Sequence, residues 1–215
     1  MNLFQYISEN FNKIMELFVE HFFLFLFSII ITTIIGVSLS IIATDEGREK
    51  IGKTILSITG AAQAVPSIAV IALVFIYVGI GKTPTIISLI IYSLVPVIFN
   101  ATSGILSVPK GVIEAGKGMG FTKNQILWKL KIPIAVPVIM GGIRSAATII
   151  IGTAVIASVI GGGGLGDLIF TGLKLNRPEA LVAGAASSAI LAIIIDRILG
   201  YIEKIITPKG LKIEK

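Results

Sequence analysis

Five apolar stretches, each long enough to cross a bilayer as a helix, dictate what this chain can fold into. They run over residues 22–43, 55–80, 85–106, 134–160 and 180–206. About 20 apolar residues in a helix cover the roughly 30 Å of hydrocarbon in a membrane. Lipid offers backbone N–H and C=O groups no partner, so a spanning segment must close its hydrogen bonds within a helix or a barrel. Barrel strands alternate apolar and polar residues, and no such alternation runs through these stretches. With 54% of the 215 residues hydrophobic and 14% charged, the chain reads as an all-α membrane protein of about five transmembrane helices, a single domain filling residues 1–215. Pro66 is expected to kink the second span without dividing it, because a membrane helix tolerates proline when neighbours satisfy the freed carbonyl. Met1 to Glu20 carries Glu9, Glu16 and Glu20 beside a single Lys13. A cleavable signal would open with a short basic region, so this lead is expected to stay attached.

The basic residues give an orientation, since short cytoplasmic loops carry the excess of Lys and Arg. Arg48, Lys50 and Lys53 lie in the first loop, Lys110, Lys117, Lys123, Lys129 and Lys131 in the third, and Lys204, Lys209, Lys212 and Lys215 at the C-terminal end. Lys13, Lys82, Lys174 and Arg177 are all that the other side holds. The expectation is a multi-pass cell-membrane protein with its N-terminus outside and its C-terminus in the cytoplasm. Six crossings would put one basic set on the wrong side. The net charge of +6 is then mostly this topology signal, with some attraction to anionic lipid heads, and it gives no reason to expect nucleic acid.

Absence of cysteine, and a single histidine at His21, argue against disulfides, thiolate metal sites and histidine metal sites. An intramembrane enzyme would need a nucleophile with its base, or metal ligands, and the spans supply neither. GREKIGKT, Gly47 to Thr54, matches the phosphate-loop pattern G-x-x-x-x-G-K-S/T,. That loop needs a strand before it and a folded domain around the nucleotide, whereas here eleven residues, 44–54, separate two spans. The match is accidental.

The longest connection is the most informative. Ser107 to Gly142 reads SVPKGVIEAGKGMGFTKNQILWKLKIPIAVPVIMGG, far longer before Pro133 than a simple link requires. Pro109 can start a first short helix with Val112, Ile113 and Met119 as its apolar stripe, while Gly116, Gly118 and Gly120 keep a surface small. Thr122 can cap a second, with Gln125 in the capping-box position and Ile126, Leu127 and Leu130 apolar. Pro133 is expected to end it. Such a basic amphipathic hairpin either rests on the membrane surface or docks a cytoplasmic partner, and small residues around Glu114 favour docking because they permit close approach.

The passage EAGKGMGFTKNQILWKLKIP resembles the coupling motif of ABC importer permeases, in which Glu-Ala-Ala, three residues and Gly lead on to Ile-x-x-Pro or Leu-Pro. It falls on Glu114, Ala115, Gly116, Gly120, Ile132 and Pro133, with Gly116 where the family has its second Ala. AVPSIAV (64–70), NATSGILSVPKGVIEAGKGMG (100–120), PVIMGGIRSA (137–146) and IGGGGLGDLIFTGL (160–173) together resemble the branch that imports glycine betaine, carnitine, choline and related osmoprotectants. A methionine importer permease is the nearest confusable relative.

The resemblance implies a type I, MetI-like permease fold with its cytoplasmic coupling loop at 107–133, and ATPase coupling through Glu114, Ala115, Gly116 and Gly120. It implies as partners a cytoplasmic ABC ATPase dimer, a second permease chain, the same or similar, and an extracellular solute-binding protein. ATP and Mg would be bound by the ATPase, leaving no cofactor in this chain. Because Lys215 comes nine residues after the last span, the binding protein is expected on a separate chain, together with any aromatic cage for quaternary ammonium.

Three further features remain. Four consecutive glycines, Gly161, Gly162, Gly163 and Gly164, cannot sustain a helix; with Asp167 they are expected to form an outer gate or binding-protein contact, or else simply to end the span. Arg144 and Asp196 each lie about 15 Å from the cytoplasmic end of a span at helical rise, and buried charges of equal depth are expected to pair. The fifth span is crowded with Ala183, Gly184, Ala185, Ala186, Ser187, Ser188 and Ala189, suited to close packing within the chain or against a second one. A permease of a methionine or other small-solute importer, and an autonomous channel, are the alternative functions.

Overall fold

A computed structural model describes residues 2–208 and 210, apart from the side chain of Glu49. The basic residues Lys209, Lys212 and Lys215 used in the orientation argument lie outside them. Every regular element among the described residues is helical. Helices α1 (Leu3–Glu9) and α2 (Phe11–Ala43) lead into α3 (Glu49–Ala62), α4 (Ser67–Val78) and α5 (Lys82–Leu106). Then come α6 (Lys110–Gly118), the short α7 (Lys123–Ile126), a π turn (Leu127–Lys131) and α8 (Ile132–Ala157). A 3₁₀ turn (Ser158–Ile160), α9 (Gly166–Lys174) and α10 (Pro178–Ile206) follow.

Among the described residues, four stretches are long and apolar enough to cross a membrane: Phe11–Ala43, Lys82–Leu106, Lys123–Ile160 and Pro178–Ile206. A fifth exists only as a broken pair, since the chain bends by 95° between Lys50–Ala62 and Ser67–Val78. The expected kink at Pro66 is therefore a break. Pro66 adopts an extended ψ of 135° as the cap of α4, and a residue preceding proline is itself pushed out of the α region. Many large apolar side chains face outward, among them Phe23, Phe27, Ile34, Ile76 and Tyr77, a surface that suits lipid and would be a liability in water.

A second expectation fails at Pro133, which does not end its helix. Lys123–Ile160 is one continuous span. Just ahead of the proline the chain widens into the π turn, where the N–H of Ile132 donates to the carbonyl of Leu127, five residues back. That change of register absorbs the N–H that Pro133 lacks and the bulk of its ring, so the helix passes through.

The chain forms two compact units. One comprises Met1–Thr32, Val65–Ser93 and Ala146–Asp196, the other Thr33–Ala64, Leu94–Ser145 and Arg197–Lys215. In the first, Tyr6, Ile14 and Leu17 pack with Leu165, Leu168, Ala180 and Ala183, and the hydroxyls of Thr32 and Ser93 bond at 2.8 Å. The small residues of α10 divide here. Ala183, Gly184 and Ser188 are buried while Ala185, Ala186 and Ala189 are exposed, and a Cβ on Gly184 would come within 2.8 Å of Ile169. In the second unit glycines again bring helices together. Added Cβ atoms on Gly36 and Gly142 would lie 2.7 Å from Val97 and Asn100 respectively, the close approach that stands in for the hydrophobic effect between membrane helices.

Candidate functional site

The loop after α5 builds a compact platform in the second unit. Pro109, extended, caps α6. At the far end Gly120 takes a left-handed φ of 78°, its N–H donating to Lys117 O and that of Phe121 to Gly116 O, each at 3.0 Å. Those two bonds are a Schellman closure, which glycine forms without a Cβ penalty. Thr122 then caps α7 with the expected capping box: its hydroxyl accepts from Gln125 N–H, and the Gln125 side chain accepts from Thr122 N–H at 2.8 Å. Lys129 lies over the ring of Phe121, 5.4 Å from its centre, a cation–π contact closing the corner.

On this platform the motif residues occupy different places. Gly116 is buried, and a Cβ there would meet Leu130 Cδ1 at 2.6 Å. Glu114, Ala115, Gly118 and Met119 are exposed, and Cβ atoms on Gly111, Gly118 and Gly120 would meet nothing within 4 Å. Among the described residues Glu114 makes no ion pair, whereas its neighbour Lys117 donates to Glu46 Oε1 at 2.8 Å. That hydrogen bond holds the Glu46 carboxyl below the usual carboxylate range and raises Lys117 above the usual lysine value.

This arrangement, a short capped helix presenting Glu-Ala from an otherwise helical membrane chain, accompanies a match over residues 36–207 to the family described as "Binding-protein-dependent transport system inner membrane component". The chain belongs to this family. The permease is 39% identical over 212 residues to the choline transport system permease protein OpuBB of Bacillus subtilis, covering 98% of this chain and 96% of that one. Its identity to the glycine betaine/carnitine/choline transport system permease protein OpuCB of the same organism is 41%, over 90% of this chain and 88% of the other. The carnitine transport permease protein OpuCB of Listeria monocytogenes is 37% identical over 96% and 94% of the two chains. In fold it is similar to the inward-facing MetNI methionine ABC transporter, with a TM-score of 0.72, 23% identity and coverage of 91% and 94%. The MetI-like, all-α architecture expected from the sequence is the one observed.

The glycine run lies in the first unit of the permease, packed against α2 and the start of α5. Gly161, Gly163 and Gly164 have φ of 78°, 75° and 74°. Gly162 is needed for space instead of for a left-handed backbone. Its N–H donates to Ala157 O at 3.2 Å, and a Cβ there would lie 2.6 Å from Thr85 Oγ1 and 2.7 Å from Ala157 O. Gly162 and Gly164 are buried, Gly163 is half-buried and Gly161 is exposed, and the turn lies against Glu20 and His21 of α2 and Thr85 of α5.

Two side chains of α2 receive the amides of this turn. Gly164 N–H donates to Glu20 Oε2 at 2.7 Å, and Glu20 also pairs with Lys82. The next amide, Leu165 N–H, donates to His21 Nδ1 at 3.3 Å. An amide can only donate, so Nδ1 is the acceptor and the neutral ring carries its proton on Nε2, which donates to Ile151 O at 3.2 Å,. A Cβ on Gly163 would lie 2.7 Å from the Glu20 carboxylate and one on Gly164 2.9 Å from His21 Nδ1. Asp167, half-buried in the first turn of α9, has its carboxyl pushed up by burial and further by the charge of Glu20.

Arg144 Nη1 donates to Glu203 Oε2 at 3.0 Å, and Asp196 is half-buried on the same helix as Glu203. Sequence alone does not flag Glu203, because near a helix end an acidic residue passes for surface. Glu20 and His21 escape notice for a similar reason: in sequence they close an acidic lead, and only the fold brings residues 144 positions away back onto them.

Proposed function

We propose that this permease is the membrane-spanning subunit of an ATP-driven importer of osmoprotectants such as glycine betaine, carnitine or choline. The observation that carries the reading is the exposed face of α6. Glu114, without an ion pair among the described residues, stands there beside Ala115 and Gly118, on a helix fixed at both ends, as a contact offered to another chain requires. The relatives named above, choline and carnitine permeases among them, support the solute class.

On this reading the α6 face seats in a cytoplasmic ATPase that binds ATP and Mg, and closure of two ATPases is transmitted through it as a rigid-body rocking of the spans. The distribution of Lys and Arg supports a cytoplasmic side for this loop and an external N-terminus. A second permease chain, the same or similar, completes the pathway, and a separate solute-binding protein delivers the ligand outside. The turn built by the glycine run would face that protein or the outer gate through its exposed Gly161 and the half-buried Asp167, with Gly162, Gly163 and Gly164 shaping it from within.

The test is uptake by proteoliposomes containing the full complex. Betaine, carnitine or choline uptake should require both ATP and the binding protein, and replacing Glu114 with Ala should lower recovery of the ATPase with the permease at least tenfold. Uptake that persists without ATP would establish an autonomous channel instead. Full activity and ATPase recovery in the Glu114→Ala complex would remove α6 from the coupling path.

A further inference from the structure

The turn between α2 and α3 carries an acidic side chain that reaches the loop proposed to couple the permease to ATP. The turn is held by its own bonds: Asp45 Oδ1 accepts from Glu46 N–H at 2.9 Å, Asp45 O accepts from Arg48 N–H at 2.9 Å, and Gly47 takes a φ of 86°. Glu46 leaves it with one carboxylate oxygen on Lys117 Nζ at 2.8 Å and the other 3.6 Å from Lys123 Nζ. Lys117 is in the last turn of α6 and Lys123 begins α7, so one carboxylate spans the corner between them. A pocket of about 240 Å³ lies beside this link, with Ile41, Ile42 and Arg48 on the side of the turn and Asn124, Ile126 and Leu127 on the side of α7. The turn is thus joined to the platform by charge beside this pocket.

We propose that Glu46 is a positioning residue for the coupling platform: by holding Lys117 and Lys123 it fixes the end of α6 and keeps Lys117 from folding back onto Glu114. Lys117 follows Glu114 by three positions, the spacing at which opposite charges on a helix pair. With Lys117 engaged by Glu46, the Glu114 carboxylate stays available to a partner. The inference rests on α6 being the ATPase contact, but the brace itself is a property of this chain.

The experiment is a double-mutant cycle with Glu46→Gln and Lys117→Gln in the assembled, reconstituted importer. Solute transported per ATP hydrolysed and hydrogen exchange of the α6 amides are both read. Each single variant should lower the transport ratio roughly threefold or more and speed α6 exchange, the double should be no worse than either single, and Lys117→Arg should keep both near wild type. Such non-additivity is the signature of one shared interaction. Additive losses, or unaltered exchange in Glu46→Gln, would overturn the brace. If exchange responds and the transport ratio does not, the brace stands as structure and its positioning role falls. The α6 contact is judged apart from this, by Glu114→Ala.

Discussion

Gly164 and Glu20, 144 residues apart, are joined by a hydrogen bond of 2.7 Å from a backbone amide to a carboxylate. The bond exists because Gly164 sits at φ 74°, which turns its N–H toward α2, and because Lys82 compensates the charge from the other side. Replacing Gly164 with Ala should destabilise the permease by about 2 kcal/mol from the left-handed backbone alone, with a further loss from the crowding of His21. The thermal midpoint in detergent, followed by intrinsic fluorescence, is the measurement. Gly152, on a regular helix with nothing within 4 Å of an added Cβ, should tolerate the same change.

His21 is fully buried and holds two elements at once, accepting from Leu165 N–H and donating to Ile151 O. Truncation to Ala should cost about 1–3 kcal/mol for the buried amide left without a partner, and more for the cavity. Asn, which retains a donor and an acceptor, should recover part of that stability, and glutamine should behave similarly. Thermal unfolding of the three variants beside wild type would show the order.

Gly116 and Gly118 are two positions apart on α6 and should respond oppositely. Val at 116 must displace Leu130, an overpacking cost of about 1–3 kcal/mol,. Val at 118 faces open space and should leave stability nearly unchanged while reducing recovery of the ATPase. Stability assays and co-purification on the same preparations separate the two effects.

The brace between Glu46 and Lys117 has a defined pH window. Glu46 has a folded pKa lowered below its unfolded value of 4.5, so its contribution is present above that value and is lost as pH falls through the lower folded one,. Lys117 has a folded pKa raised above 10.5, so its contribution is present below 10.5 and is lost as pH rises through the higher folded one,. Exchange protection of α6, corrected for intrinsic rates, should therefore hold steady across the neutral range and fall under strong acid and again under strong alkali,. In Glu46→Gln the acid-side fall should vanish. Since Lys117 is exposed and Glu46 only half-buried, salt should weaken the brace as well.

Much of this protein was legible in the sequence because membrane solvation leaves few choices. Long apolar runs had to become helices, and Thr122 with Gln125 had to cap one, since those are short-range consequences of chain chemistry. Breaks were harder to read. Pro66 and Pro133 carry the same ring, yet one divides a span and the other is carried through by a π turn, a difference set by how neighbouring turns can rearrange. The coupling motif shows the same division of labour. Sequence grouped Glu114, Ala115, Gly116 and Gly120 as one contact, and the fold gives them three jobs: Glu114 and Ala115 are presented outward, Gly116 is buried under Leu130, and Gly120 closes the helix. The glycine run divides likewise, with Gly161 outward and Gly162 pressed against Thr85.

An all-helical membrane chain, its family and its loops follow from the residues alone, because hydropathy and capping act over a few positions. That Glu20 and His21 hold the glycine run, and that Glu46 holds α6, emerges only when the chain is folded. Those bonds join groups far apart in the chain, and nothing local specifies which distant partner a buried polar group will find.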